Sequence, residues 1–167
     1  MQSVLNLISE PYALEKVTKN EPFRMTNRDM DILEFILEMK FSTIEDIHSK
    51  FFKFTRSGEQ SICLRWCRER VALLIKANFI KPIKDVCYRT LYIVTQKGYF
   101  YLRNSRPEKN YPRALQSVDG RFYDHDQKVI QTRLKLEELG IVKSWISERL
   151  INEIEEYRTI LPSEFRP

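Results

Sequence analysis

SGEQSICLRWCRERVALLIKANFIKPIKDVCYRTLYIVT, residues Ser57 to Thr95, decides the fold. It reads as one long helix, capped at Ser57 or Gly58 and stopped at Asn78, a residue that tolerates the left-handed conformation of a helix end. At 100° steps, Leu64, Cys67, Val71 and Leu74 share one face, the side an amphipathic helix turns to a core. Ser61, Arg65, Arg68 and Ala72 form a second stripe, small at some positions and cationic at others. Ile62, Trp66 and Leu73 form a third, near Glu69 and Arg70. Beyond Asn78, Phe79, Ile80 and Ile83 begin an extended segment in which Pro82 restricts pairing to one edge. Leu91, Tyr92, Ile93 and Val94 return, with the basic tip Lys84-Asp85-Val86-Cys87-Tyr88-Arg89 between the two strands.

Two helices are expected upstream. Thr26-Asn27-Arg28-Asp29 is a capping-box pattern, with Asp in place of the more usual Glu, and it opens a helix over 27–40. Met30, Leu33, Ile36 and Leu37 form its core stripe. Ile32, Phe35 and Met39 form a second apolar stripe that a single buried face does not require. Ser42-Thr43-Ile44-Glu45-Asp46 repeats the cap and opens a helix over 44–52, with Ile44, Ile47 and Phe51 or Phe52 inward. His48 on that helix has no ligand cluster near it in sequence and reads as a surface or partly packed residue. Residues 1–22, broken by Pro11 and Pro22, read as an N-terminal arm.

Downstream, Thr95 caps a short helix, QKGYFYLR, whose Tyr99, Phe100 and Leu102 are expected to close the core. Residues 104–122 contain Pro107, Pro112 and several arginines without periodicity and read as a linker. Residues 123–167 read as a C-terminal helical extension. It holds a helix over 124–139 stopped by Gly140, strand character from Ile141 to Ile146, and a last helix from Ser147 to about Tyr157.

Composition narrows the function. The chain has 167 residues, 28 basic and 23 acidic, for a formal charge of +5. That leans towards polyanions on a mixed surface, without a basic tail. Three cysteines, an odd number, argue against a disulfide framework. The absence of a long apolar run and of a secretory signal predicts a cytoplasmic protein without a membrane partner. Only four glycines occur, and GxxxxGK[ST], GxGxxG and HExxH are missing, which counts against the common nucleotide-using enzymes.

The order helix, helix, long helix, basic hairpin and short helix, over residues 23–103, resembles winged helix-turn-helix domains, on TNRDMDILEFILEMKFSTIEDIHSKFF, LLIKANFIKPI and LYIVTQKGYFYL. It resembles more particularly the replication-relaxation family of plasmid and mobile-element proteins. That family's winged helix is followed by a His-Asp helix, a strand bearing Trp and a Ser-Glu pair, and His125-Asp126, Trp145 and Ser147-Glu148 stand at similar places. The resemblance implies a C-terminal αβ unit of restriction-endonuclease type. In that unit an acidic residue would follow this region, and the sequence ends at Pro167 before it. A remnant used for dimerisation is therefore expected instead of a nuclease.

The fold expected is mainly α with a small β-hairpin wing, a winged helix-turn-helix followed by a short helical or αβ extension. The function expected is sequence-specific binding of double-stranded DNA by a homodimer, as a regulator of transcription or of plasmid or mobile-element replication. Arg56, Ser57, Ser61, Arg65 and Arg68 would meet the major groove, because arginine forks suit phosphate oxygens and the guanine edge. Lys81, Lys84 and Arg89 would reach phosphates, contacts that fix register without reading sequence. Dimerisation would use residues 123–157 or the spare stripes of the first and third helices, with half-sites about one turn of the duplex apart.

Other readings stand beside this one. Arg65 and Arg68 also suit a solvated helix face, and Glu59 and Glu69 weaken the basic character in favour of a protein partner. Trp66 suits stacking on single-stranded nucleic acid, but packing is the commoner fate of a tryptophan on a helix. Asp124, His125, Asp126 and Glu148 are metal-binding types, although a DHD triplet at a helix start is also ordinary capping. Cys63 and Cys67, four residues apart, read as small core residues sooner than as ligands. No catalytic residue, metal or cofactor is expected.

Overall fold

The computed structural model describes residues 23–54, 58–61, 63–84, 89–154 and 159. Over these the protein is mainly helical with one two-stranded antiparallel sheet. The helices are α1 (Asn27–Glu38), α2 (Ile44–Phe51), α3 (Arg65–Lys76), α4 (Gln96–Ser105), α5 (Tyr123–Glu138) and α6 (Glu148–Glu153). The strands, between α3 and α4, are β1 (Ile80–Lys84) and β2 (Thr90–Val94). The expected arm, residues 1–22, lies outside the described residues. No described helix is long and apolar enough to cross a membrane.

Short polar signals start the helices. Thr26 takes the Asp29 amide at 3.3 Å while the Asp29 carboxylate takes the Thr26 amide at 2.7 Å, a reciprocal box that satisfies two orphan donors. Thr43 and Asp46 repeat it at 3.2 and 3.0 Å. Thr95 caps α4, accepting from the Gly98 amide at 3.1 Å. α1 ends two residues before the expected position, because Lys40 turns left-handed at φ 72°.

The third helix is shorter than its sequence pattern suggests. Residues 58–61, 63 and 64 are not helical, and α3 begins only at Arg65. Gly58 takes φ 83°, Phe54 and Gln60 form an isolated bridge, and the Ser61 amide donates to the Lys53 carbonyl at 2.6 Å. Those backbone groups are committed to a loop, so the first helical turn is unavailable to them. Asn78 ends the region as expected, with φ 60°.

Strand β2 runs between β1 and a single bridging residue, Ser42. Ser42 and Tyr92 exchange amide-carbonyl bonds at 3.1 and 2.9 Å, and β1 pairs on the other side from Ile80 opposite Val94 to Lys84 opposite Thr90. β1 is thus an edge strand, the place where Pro82 is tolerated.

Two hydrophobic clusters share α1. The first gathers Leu33 and Ile36 of α1 with Ile47, Cys67, Leu74 and Leu102. The second sets Phe35 and Met39 of α1 against Phe41, Leu91, Ile93, Tyr123 and Ile130. Phe35 and Met39 of the extra apolar stripe are accordingly covered by β2 and α5, while Ile32, its third member, is buried in the first cluster. Arg133 of α5 crosses the same seam: its guanidinium lies between the rings of Phe35 and Trp145, at 5.1 and 5.4 Å, and pairs with Glu38 at 2.5 Å and Glu137 at 2.9 Å. Asp46 ties α2 to α5 by accepting from Gln127 at 3.2 Å and Gln131 at 2.6 Å.

Three expectations need correction downstream. The stretch read as a linker is packed: Arg106 pairs with Asp31 and Glu34, at 2.7 and 2.8 Å, and Tyr111 and Ala114 are buried in the first cluster. The strand from Ile141 to Ile146 does not form. Gly140 turns at φ 68°, the Ile141 amide bonds back to Leu136, and Ser42 already occupies the free edge of β2. Phe100 does not close the core and is 53% exposed, whereas Leu102 is fully buried. The last helix is described through Glu153, and its expected continuation to Tyr157 lies outside the described residues.

Candidate nucleic-acid interface

Helix α3 buries Cys67, Val71 and Leu74, three positions within about 60° on a wheel of 100° steps. The opposite face must therefore meet solvent, and it carries Arg65, Trp66, Arg68, Glu69 and Lys76, all exposed. Arg65 is held by Glu69 one turn on, with Nε to Oε1 at 2.9 Å, and its side chain remains 76% exposed. That bond raises the Arg65 guanidinium further above its ordinary range, so the group is cationic at any physiological pH.

The charge of Arg68 is felt at β2. Burial raises the Tyr92 phenol of β2, and the nearby charge of Arg68 lowers it part of the way back. The helix begins with no acidic residue in its first turn, unlike α1 and α2, and with no side-chain cap at Leu64, unlike α1, α2 and α4. Its first amides and the positive end of its dipole are thus not neutralised by the helix's own side chains.

The structure brings together some of the residues the sequence nominates. Arg65 and Arg68 share the exposed face of α3. Ser61 is half-buried in the preceding loop and does not belong to the helical stripe assigned to it. Arg56 and Ser57 lie outside the described residues. Lys84 ends β1 and exposed Arg89 precedes β2, which places both at the tip end of the hairpin. Lys81 is engaged elsewhere, donating to the Gln116 carbonyl at 3.1 Å.

Sequence reasoning favoured packing for Trp66, yet it is 68% exposed. The helical wheel already places Trp66 about 100° from Cys67, at the margin of the core face. Nothing among the described residues covers it, and its stripe neighbour Leu73 is half-buried. Ile62, the other member of that stripe, lies outside the described residues.

Of the two cysteines read as small core residues, Cys67 is in the core and Cys63 is not. Cys67 is buried and donates to the Ile44 carbonyl at 3.7 Å, and burial, aided by Glu45, pushes its thiol up to about 12. Cys63 is exposed.

Near the C-terminal end of α1, Asp126, Trp145, Ser147 and Glu148 line one cleft of about 140 Å³ together with Glu38 and Lys40. Their polar groups are mostly committed. Asp126 pairs with Lys40 at 2.7 Å, Ser147 caps α6 by accepting from the Leu150 amide at 3.3 Å, and Glu38 is held by Arg133. Asp124 and His125 are exposed on α5. Among the described residues no three His, Cys, Asp or Glu side chains gather in a way that would hold a metal ion.

No protein family, curated protein or solved structure matches this chain.

Proposed function

We propose that the protein binds double-stranded DNA sequence-specifically through a winged helix-turn-helix unit built from α1 to α4, with α3 entering the major groove and the β1–β2 hairpin serving as the wing. The observation that carries this reading is the exposed face of α3. Arg65 and Arg68 point away from the core on a helix packed behind by α2 and followed directly by a hairpin with Lys84 and Arg89 at its tip end. A helix of 12 residues is about 18 Å long, enough to lie in a groove and reach base edges from its first turns. The Arg65–Glu69 pair is an exposed, solvent-screened contact, so Arg65 exchanges it readily for a phosphate or a guanine edge.

The role as a regulator of transcription, or of plasmid or mobile-element replication, rests on the sequence resemblance. A homodimer is supported by exposed Leu139, Ile141 and Ile146 around and after the end of α5, apolar side chains that a second copy would remove from water. Glu69 beside Arg65 supports the competing reading, a protein-binding module, since it lowers the positive charge of the face.

Titration of a labelled duplex at several salt concentrations separates these readings. DNA binding through four or more phosphates gives a log–log slope steeper than about −3, and Arg68→Ala makes it shallower by about one. An affinity that is absent, or indifferent to salt, overturns the DNA reading.

A further inference from the structure

The two tryptophans of the chain have opposite surroundings. Trp145 is half-buried against the Arg133 guanidinium, whereas Trp66, the second residue of α3, is 68% exposed. An indole carries more apolar area than any other side chain and is usually well covered. Here it stands in the first turn of the helix, the part that reaches base edges when such a helix lies in the major groove. The solvent-facing side of α3 also carries Arg65, about 100° round the helix from Trp66, and Arg68 at its opposite margin, cations that favour a polyanionic occupant over an apolar protein groove. In that groove the apolar group available to an indole face is the 5-methyl group of thymine.

We propose that Trp66 is the specificity residue of this face and packs on a thymine methyl in the major groove, so that the preferred duplex carries an A·T pair opposite the first turn of α3. The inference rests on the DNA reading above and adds to it the base that the protein selects. Arg65 and Arg68 supply affinity and, where they reach guanine, further readout. Trp66 supplies a preference that no phosphate contact can give.

The test begins with selection of bound sequences from a random duplex pool by the full chain. The selected duplex is then resynthesised with deoxyuridine replacing one thymidine at a time, which deletes the methyl group and keeps every groove hydrogen-bonding group. The wild-type protein should lose about fourfold in affinity at one position per half-site, the worth of one buried methyl-sized group. Trp66→Ala, at an exposed position that leaves the fold intact by circular dichroism, should bind the selected duplex several-fold more weakly. It should also be indifferent to deoxyuridine at that position while keeping the salt slope of the wild type.

If Trp66→Ala matches the wild type in affinity and in deoxyuridine profile, the inference falls and the DNA reading stands. If Trp66→Ala binds more weakly but neither protein responds to methyl deletion, the residue touches sugar or phosphate and the proposed specificity is likewise overturned. Absence of any salt-dependent duplex binding by the full chain removes both readings together.

Discussion

Asp29 is fully buried at the start of α1, yet it must carry charge. Burial works to raise its carboxyl. Hydrogen bonds from the Arg70 guanidinium and from the Thr26 hydroxyl and amide outweigh burial and hold it below its ordinary range. Arg70 reaches it from α3, with Nε to Oδ1 at 2.7 Å, and also donates to the Arg24 carbonyl at 2.8 Å, so one side chain closes the N-terminal end of α1 against α3. A carboxyl depressed in the folded state and ordinary in the unfolded chain contributes stability in full above about pH 4 and loses it as the pH falls. Arg70→Leu removes the strongest depressing partner and leaves a buried carboxylate without its counter-charge, a change that costs about 3 kcal/mol at neutral pH. The gap between wild type and variant should narrow as the pH falls through about 4, because protonation relieves the variant's unpaired charge. Urea midpoints measured across that range check it, and a gap that stays constant or widens in acid contradicts the assignment.

At the scale of elements, α4 depends on a glycine for its approach to the strands. A Cβ on Gly98 would stand 2.3 Å from the Phe79 carbonyl oxygen and 2.7 Å from Val94 Cγ1. The first of these is backbone, fixed by the Thr95 amide and by the register of Ile80 opposite Val94, and it has no rotamer to yield. Alanine is the better helix former by about 1 kcal/mol, but overpacking of this kind costs about 1 to 3 kcal/mol, and the clash with backbone puts it at the upper end. Gly98→Ala should therefore lower the thermal midpoint in spite of its helix propensity, and a raised midpoint would show that α4 can slide off β2 without loss. This contact is invisible in the sequence, where QKGYFYLR shows only a capped amphipathic turn. The caps at Thr26, Thr43 and Thr95 were legible because each is a local bargain between a hydroxyl or carboxylate and an amide three residues away. The core faces of α1 and α3 were legible because burial repeats with the helical period. The start of α3 was not, since Gln60, Ser61 and Leu64 continue a helical pattern that a bridge between Phe54 and Gln60 overrides. The strand expected at Ile141 to Ile146 failed for a related reason: its β-branched residues match a strand, but a strand also needs a free edge, and edge availability is a property of the assembled sheet. In the candidate interface Arg65 and Arg68 were legible as an exposed stripe, whereas exposed Trp66 was not, because a tryptophan near a core face is ordinarily packed.

The whole molecule is organised by α1, which has the first cluster on one side and the second on the other. Strand β2 is shared in the same way, with Val94 in the first cluster and Leu91 and Ile93 in the second. The elements proposed to read DNA therefore share part of their core with α5. If residues 23–103 were separated from α5, then Phe35, Phe41, Leu91 and Ile93 would lose their cover from Tyr123 and Ile130. Damage to α5 must propagate to the hairpin and, through α1, to the seat of α3. Ile130 is fully buried in the second cluster, far in sequence from every candidate DNA contact. Ile130→Ala removes buried methyl and methylene groups and leaves a cavity, at a cost of about 2 to 5 kcal/mol. Because the clusters share α1 and β2, that loss should lower a single unfolding transition, with far-UV circular dichroism and tryptophan emission moving together. Two separated transitions, of which Ile130→Ala moves only one, would instead mean that the α1–α4 unit folds alone and that α5 is an appendage.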